Sequence, residues 1–189
     1  MKVYFIRHGQ TERNLLGLWS GWADVPLTEK GRSDAERVGK TVRHIPFDRV
    51  YTSDLVRARE TARIALPSYV AEPTALLREL DVGRIIDDRI SDMSEEELKK
   101  TDECGFAAYG GESNGDLDKR ILSFLSEIEA AECENIAVFT HGGVLCEMLE
   151  LTVGVRLPRE KYLCRNCAVL ILDITDGVRR LHSWRNLTD

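Results

Sequence analysis

The sequence predicts an α/β fold: a three-layer sandwich with a mainly parallel central sheet, helices on both faces and a terminal antiparallel hairpin. Three observations predict it. Short apolar runs of strand length alternate with segments whose apolar residues recur at helical spacing. The early strand-like runs each end in a polar cluster. The last apolar stretch is interrupted by Asp176-Gly177, a turn pair suited to joining adjacent antiparallel strands. The 189 residues suit one domain with one sizeable core.

The elements follow in order. Residues 3–6 form an unbroken apolar run and predict a buried strand. Thr28 opens a helix with Glu29 in its first turn. Ala35, Val38, Val42 and Ile45 recur on one face, and Pro46 stops it. Residues 49–52 predict a second strand. Ser53 is the expected N-cap of the next helix, which carries Leu55, Ala58 and Ala62 on one face and stops at Pro67. Residues 116–132 give the clearest helix, with Leu117, Ile121, Phe124, Leu125 and Ile128 as its apolar stripe. Residues 136–140 predict a third strand, and 144–153 a helix ended by Gly154. Residues 168–174 and 178–184 make the hairpin, which adds an antiparallel strand at or near an edge.

Residues 81–118 fit this alternation poorly. They hold 12 acidic and 4 basic side chains, and Ser94 with Glu97 forms a capping box for one short helix. The segment reads as an acidic insertion within the single domain 1–189, lying over the sheet as a lid.

Composition excludes several classes. A net charge of -6 argues against a nucleic-acid partner, which needs a basic face, but an anion site depends only on local charge. No apolar run approaches the roughly 20 residues that cross a bilayer, and the N-terminal apolar run is broken at Arg7, so neither a membrane span nor a signal peptide is read. A cytoplasmic protein is expected. Five cysteines, an odd number, argue against a disulfide framework. Cys164 and Cys167 form a lone C-x-x-C without two further ligands for zinc, and read as buried or partly buried thiols.

The candidate chemistry lies at strand ends, where open α/β sheets bind ligands. The first strand runs into Arg7-His8-Gly9-Gln10, the second into Ser53-Asp54-Leu55-Val56-Arg57 and the third into His141-Gly142-Gly143. If the strands are parallel, two histidines and two arginines converge on one edge. Arginine forks match phosphoryl oxygens, glycine permits close backbone approach, and the helix beginning near Gly143 aims its positive end at the same point. His44 and His182 lack this strand–His–Gly setting and read as ordinary surface or structural residues. No G-x-x-x-x-G-K-[ST] motif occurs, so the site is not a P-loop.

These motifs resemble the histidine phosphatase superfamily, also called phosphoglycerate-mutase-like. Arg7-His8-Gly9-Gln10-Thr11-Glu12-Arg13-Asn14 is similar to its R-H-G-[EQ]-T-x-x-N hallmark. Residues 53–62, SDLVRARETA, resemble S-x-x-x-R-A-x-x-T-A, a register that selects Arg57 over Arg59. Leu77-Arg78-Glu79 with Gly83 resembles the segment carrying the family's acid, selecting Glu79 over Asp81. Gly111-Glu112-Ser113 resembles its G-E-S step, and His141-Gly142-Gly143 its second histidine motif. Asn166 matches a polar residue before the last strands. Two departures stand out: Arg13 replaces a common aromatic residue, and residues 84–88 replace a tryptophan–glutamate–glycine run.

The resemblance implies a phosphomonoesterase without a cofactor or a metal. His8 is the nucleophile that forms a phosphohistidine, Arg7, Arg57 and His141 hold the phosphoryl oxygens, and Glu79 is acid then base. Gln10, Asn14, Gly21 and Gly142 are expected to contact a small phosphorylated substrate. Residues 17–31 and 46–63 look especially like the α-ribazole phosphatase branch, which implies α-ribazole 5'-phosphate as substrate. The rival readings are a cofactor-dependent phosphoglycerate mutase, disfavoured by the short chain and the acidic insertion, a metal enzyme, disfavoured by arginines beside both histidines, and a non-catalytic phosphate-binding module.

Overall fold

A computed structural model of the chain describes residues 1–155 and 164–187. In chain order its elements are β1 (Lys2–Arg7), α1 (Glu12–Leu15), α2 (Glu29–Val42), β2 (Arg49–Ser53), α3 (Val56–Ala65), β3 (Glu72–Thr74), α4 (Glu95–Cys104), α5 (Asn114–Glu129), β4 (Asn135–Thr140), α6 (Gly142–Val153), β5 (Ala168–Thr175) and β6 (Val178–Asn186). The strands form one sheet in the order β3-β2-β4-β1-β5-β6. β3, β2, β4 and β1 run parallel; β5 is antiparallel to β1, and β6 to β5. This is the predicted α/β architecture with its hairpin at one edge.

Side-chain alternation in the central strands explains the layers. Val3, Phe5, Ile136 and Val138 face one side, where they meet Ile121, Phe124 and Leu125 of α5 and Val144 and Met148 of α6. Ile6, Ala137 and Phe139 face the other, against Val38 and Val42 of α2 and Ala62 and Ala65 of α3. Both sides of β1 and β4 are buried, so these strands read as continuous apolar runs rather than alternating ones. Each fully buried side chain of Leu, Ile or Phe size contributes about 1.5–3 kcal/mol.

Several caps agree with the sequence. Thr28 accepts from Gly31 N–H at the start of α2, Ser94 and Glu97 form the capping box of α4, and Gly154 ends α6 at φ 73°. Asp176 and Gly177 both have positive φ, 50° and 71°, as a two-residue hairpin turn requires. Ser53 departs from expectation. It ends β2 instead of capping α3, and the cap position is Leu55, which has no side-chain cap bond. The exposed Val56 N–H is accepted instead by Asp24 Oδ1 at 2.7 Å, a carboxylate from a distant loop. Helix α5 starts at Asn114, two residues before the expected point, because Ser113 and Asp116 form a capping box there. It also stops earlier, at Glu129. β3 was not expected from the sequence, since three residues, one of them Pro73, are too few to show a strand period.

Residues 81–118 add no strand to the sheet. They contain α4, three single helical turns and the start of α5, and Val82, Ile85, Phe106 and Leu117 join the main core. Cys167 is buried and Cys164 partly buried, as expected for this pair; burial pushes the Cys167 thiol up to about 12.

Candidate active site

The parallel order β2-β4-β1 brings the carboxyl ends of three strands to one edge. His8 follows β1, and its amide donates to the Thr140 carbonyl at the end of β4 at 2.9 Å. His141 follows β4, and Arg57 lies in the first turn of α3 after β2. The His8 and His141 rings stand 5.2 Å apart, centroid to centroid. All three side chains are buried, Arg57 and His141 completely.

The His8 ring has a defined tautomer. Nδ1 is 2.7 Å from the Gly9 carbonyl oxygen, which can only accept, so Nδ1 carries the proton. Nε2 is left with its lone pair and receives Arg57 Nε–H at 3.3 Å. Burial, then the charges of Arg57 and Arg7, hold the His8 pKa well below 6.5; the Gly9 bond opposes this only in part. His141 is held well below 6.5 as well, by burial first and then by Arg57, His8, Arg7 and Arg120. Both imidazoles are therefore neutral at neutral pH.

Arg57 is fixed by two carbonyls, Ala23 at 2.7 Å and Gly21 at 2.8 Å. Burial, the main influence, lowers its pKa to about 10, which still leaves it charged. Arg7 donates to the Cys164 carbonyl, while its Nε is buried without a hydrogen-bond partner among the described residues. Glu79 sits at the start of α6. Its Oε1 accepts from Gly143 N–H at 3.1 Å and from Leu80 N–H at 3.1 Å.

A cavity of about 420 Å³ opens on this group. Arg7, His8, Asn14 and Glu79 line it together with the acidic Asp102, Glu147 and Glu150, and Trp19, Leu80, Val82, Leu98, Phe106 and Leu117 supply apolar wall. Val82, Leu98, Phe106 and Leu117 come from residues 81–118. Gly21 and Gly142 also line the cavity. Gln10 does not: its Oε1 accepts from Thr28 Oγ1 at 3.0 Å. Arg57 and His141, fully buried, pack directly against the His8 ring that lines the cavity, Arg57 through Nε at 3.3 Å from His8 Nε2. Asn14 Oδ1 accepts from Thr11 N–H at 3.2 Å and from Asn166 Nδ2 at 3.1 Å, and the same Asn166 amide donates to the His8 carbonyl.

Three supporting residues were not singled out as site residues from the sequence. Thr61 accepts from Gly9 N–H at 3.0 Å, and Ser53 Oγ is 2.8 Å from His141 Nε2. Both already stand in the stretch 53–62; Thr61 is one helical turn from Arg57 and so shares its face. Arg120 carries no sequence signal. It donates to the Leu76, Arg78 and Glu79 carbonyls and pairs with Glu112 at 2.7 Å, which fixes the segment bearing Glu79. Arg13, the departure noted above, donates to the Trp19 and Ile86 carbonyls and to Asp87, tying the 17–22 loop to the insertion.

A mainly parallel α/β sheet with two neutral histidines and two guanidinium groups at the carboxyl edge of its parallel strands defines an enzyme of phosphoryl transfer. The chain belongs to the histidine phosphatase superfamily (branch 1), whose family model matches residues 3–187. It is 36% identical over 154 residues to an adenosylcobalamin/alpha-ribazole phosphatase of Salmonella typhi, covering 77% of this chain and 76% of that protein. It is 29% identical to a probable phosphoglycerate mutase, GpmB, of Salmonella paratyphi A, over 97% of this chain and 90% of that one. A solved structure described as a putative alpha-ribazole-5'-P phosphatase of Escherichia coli K-12 superposes with a TM-score of 0.81 at 26% identity, covering 99% of this chain and 98% of the other. The chain is accordingly a phosphatase of the histidine type. Among the described residues no helix is long and apolar enough to cross a membrane.

Proposed function

We propose that this phosphatase hydrolyses α-ribazole 5'-phosphate, or a phosphomonoester with a similarly flat, apolar leaving group, through a phosphohistidine on His8 Nε2 and without a metal. The observation that carries the reading is the His8 tautomer. The Gly9 carbonyl holds the proton on Nδ1 and leaves the Nε2 lone pair facing Arg57, whose Nε–H it accepts until a phosphoryl group takes that place. In the first step Nε2 bonds to phosphorus, the P–O ester bond breaks, and Glu79 protonates the departing alkoxide. In the second, water attacks the phosphohistidine, Glu79 takes the water proton, and inorganic phosphate leaves. Arg7, Arg57 and His141 hold the phosphoryl oxygens as charge redistributes. Asn14, Gly21 and Gly142, in the cavity wall, contact substrate, whereas Gln10 acts from outside the wall by bracing Thr28.

The apolar part of the cavity wall favours a particular leaving group. Trp19, Leu80, Val82, Leu98 and Phe106 suit an aromatic base better than a sugar or a carboxylate. The names of the phosphatase relatives point the same way. The acidic chain is read as a cytoplasmic enzyme without a nucleic-acid partner. Turnover on α-ribazole 5'-phosphate, a hexose phosphate and 3-phosphoglycerate tests the substrate. A kcat/KM for the first at least about tenfold above the others is expected, since apolar contacts discriminate on that scale. Equal values would end the α-ribazole reading. Interconversion of phosphoglycerates primed by the bisphosphate would replace it with the mutase reading.

A further inference from the structure

Ser53 and His141 meet across two neighbouring strands. β2 pairs in parallel with β4, which places Ser53, the last residue of β2, beside the residue that follows β4. Both side chains are completely buried. His141 Nε2 is 2.8 Å from Ser53 Oγ, and His141 Nδ1 is buried with no hydrogen-bond partner among the described residues.

A hydroxyl can donate or accept, so the 2.8 Å distance leaves the roles open by itself. The surroundings of Ser53 decide. The only other hydrogen bond to its hydroxyl among the described residues is from Leu55 N–H, at 3.4 Å, and an N–H can only donate. A buried hydroxyl has to give its proton to some acceptor, and the acceptor within reach is Nε2. A neutral imidazole whose Nε2 accepts carries its proton on Nδ1. The ring is neutral because burial and the cations of Arg57, Arg7 and Arg120, together with His8, face it. Nδ1 is then a buried donor with nothing to donate to in the free protein, an arrangement that costs free energy unless a ligand relieves it.

We propose that Ser53 is a positioning residue that donates to His141 Nε2 and so fixes the tautomer in which Nδ1–H is the donor to a phosphoryl oxygen. The proposal rests on the reading that His141 holds such an oxygen. Ser53 touches neither substrate nor the reacting atoms. Its effect is to keep a neutral donor pointed and unpaired until the transferring group arrives. Without it the ring can exchange its proton between nitrogens, and part of the population presents a lone pair where the oxyanion needs a donor.

Nitrogen NMR of histidine-labelled protein in the free state tests this, with the His141→Gln spectrum assigning the signals. The wild type is expected to show Nδ1 protonated and Nε2 unprotonated. Ser53→Ala is expected to give shifts averaged between tautomers, and kcat should fall on the order of tenfold to a hundredfold, with KM changing far less. Ser53→Thr, which keeps the hydroxyl, should restore the single tautomer. A wild-type ring protonated on Nε2 overturns the proposal, and so does a Ser53→Ala enzyme with unchanged kcat. Failure of the phosphohistidine reading would register differently. His8→Ala would then still turn over, while the His141 tautomer in the wild type would be as stated.

Discussion

His8 keeps its Nδ1 proton because the Gly9 carbonyl, 2.7 Å away, can only accept, and it stays unprotonated on Nε2 because the ring is buried among arginines. That state has a thermodynamic consequence. The unfolded chain takes up protons at both His8 and His141 as pH falls through the ordinary value of 6.5, while the folded chain refuses them. The stability associated with these rings is therefore fully present above that value and is lost as pH falls below it. Each ring should cost up to about 1.4 kcal/mol per pH unit in that acid range. Urea unfolding between about pH 7.5 and about pH 5.5 should show the midpoint falling with acid, and His141→Gln should reduce the slope. A midpoint independent of pH across this window would mean that the rings are not held neutral.

The start of α6 shows what an element contributes. Its second residue, Gly143, donates to Glu79, and a Cβ added there would collide with Glu79 Oε1. Alanine suits a helix and the obstructed atom is the end of a flexible side chain, so Gly143→Ala should fold normally and displace only the carboxylate. Its turnover on an alkyl phosphate should drop about a hundredfold, with a smaller loss on an aryl phosphate whose leaving group needs no acid. Equal loss on both would remove Glu79 from the acid role. Elements of this kind were legible in the sequence where one local rule governs them. The α4 capping box needs only Ser94 and Glu97, and the hairpin turn only Asp176 and Gly177. Legibility failed where the partner is distant. The cap of α3 comes from Asp24, thirty-two residues before Val56, and Ser53 was free to serve His141 instead. β3 escaped because its three residues are held by pairing with β2, which no local pattern announces.

At the scale of the molecule, topology places the chemistry. Three motifs far apart in the sequence share one edge because β2, β4 and β1 are parallel neighbours, a convergence the strand-end pattern predicts. The Glu79 support was not legible, since Arg120 reaches its three carbonyls from α5 only once the fold is complete. Net charge says little about the site: a chain of -6 concentrates Arg7 and Arg57 around two neutral rings. The same concentration of cations disfavours a metal ion there, in keeping with the proposed displacement by the His8 lone pair. The most direct measurement is phosphate release from p-nitrophenyl phosphate in excess EDTA, by the wild type beside His8→Ala. Turnover that persists in EDTA and disappears with His8→Ala is the predicted result; turnover lost to EDTA, or retained by His8→Ala, would contradict transfer to His8.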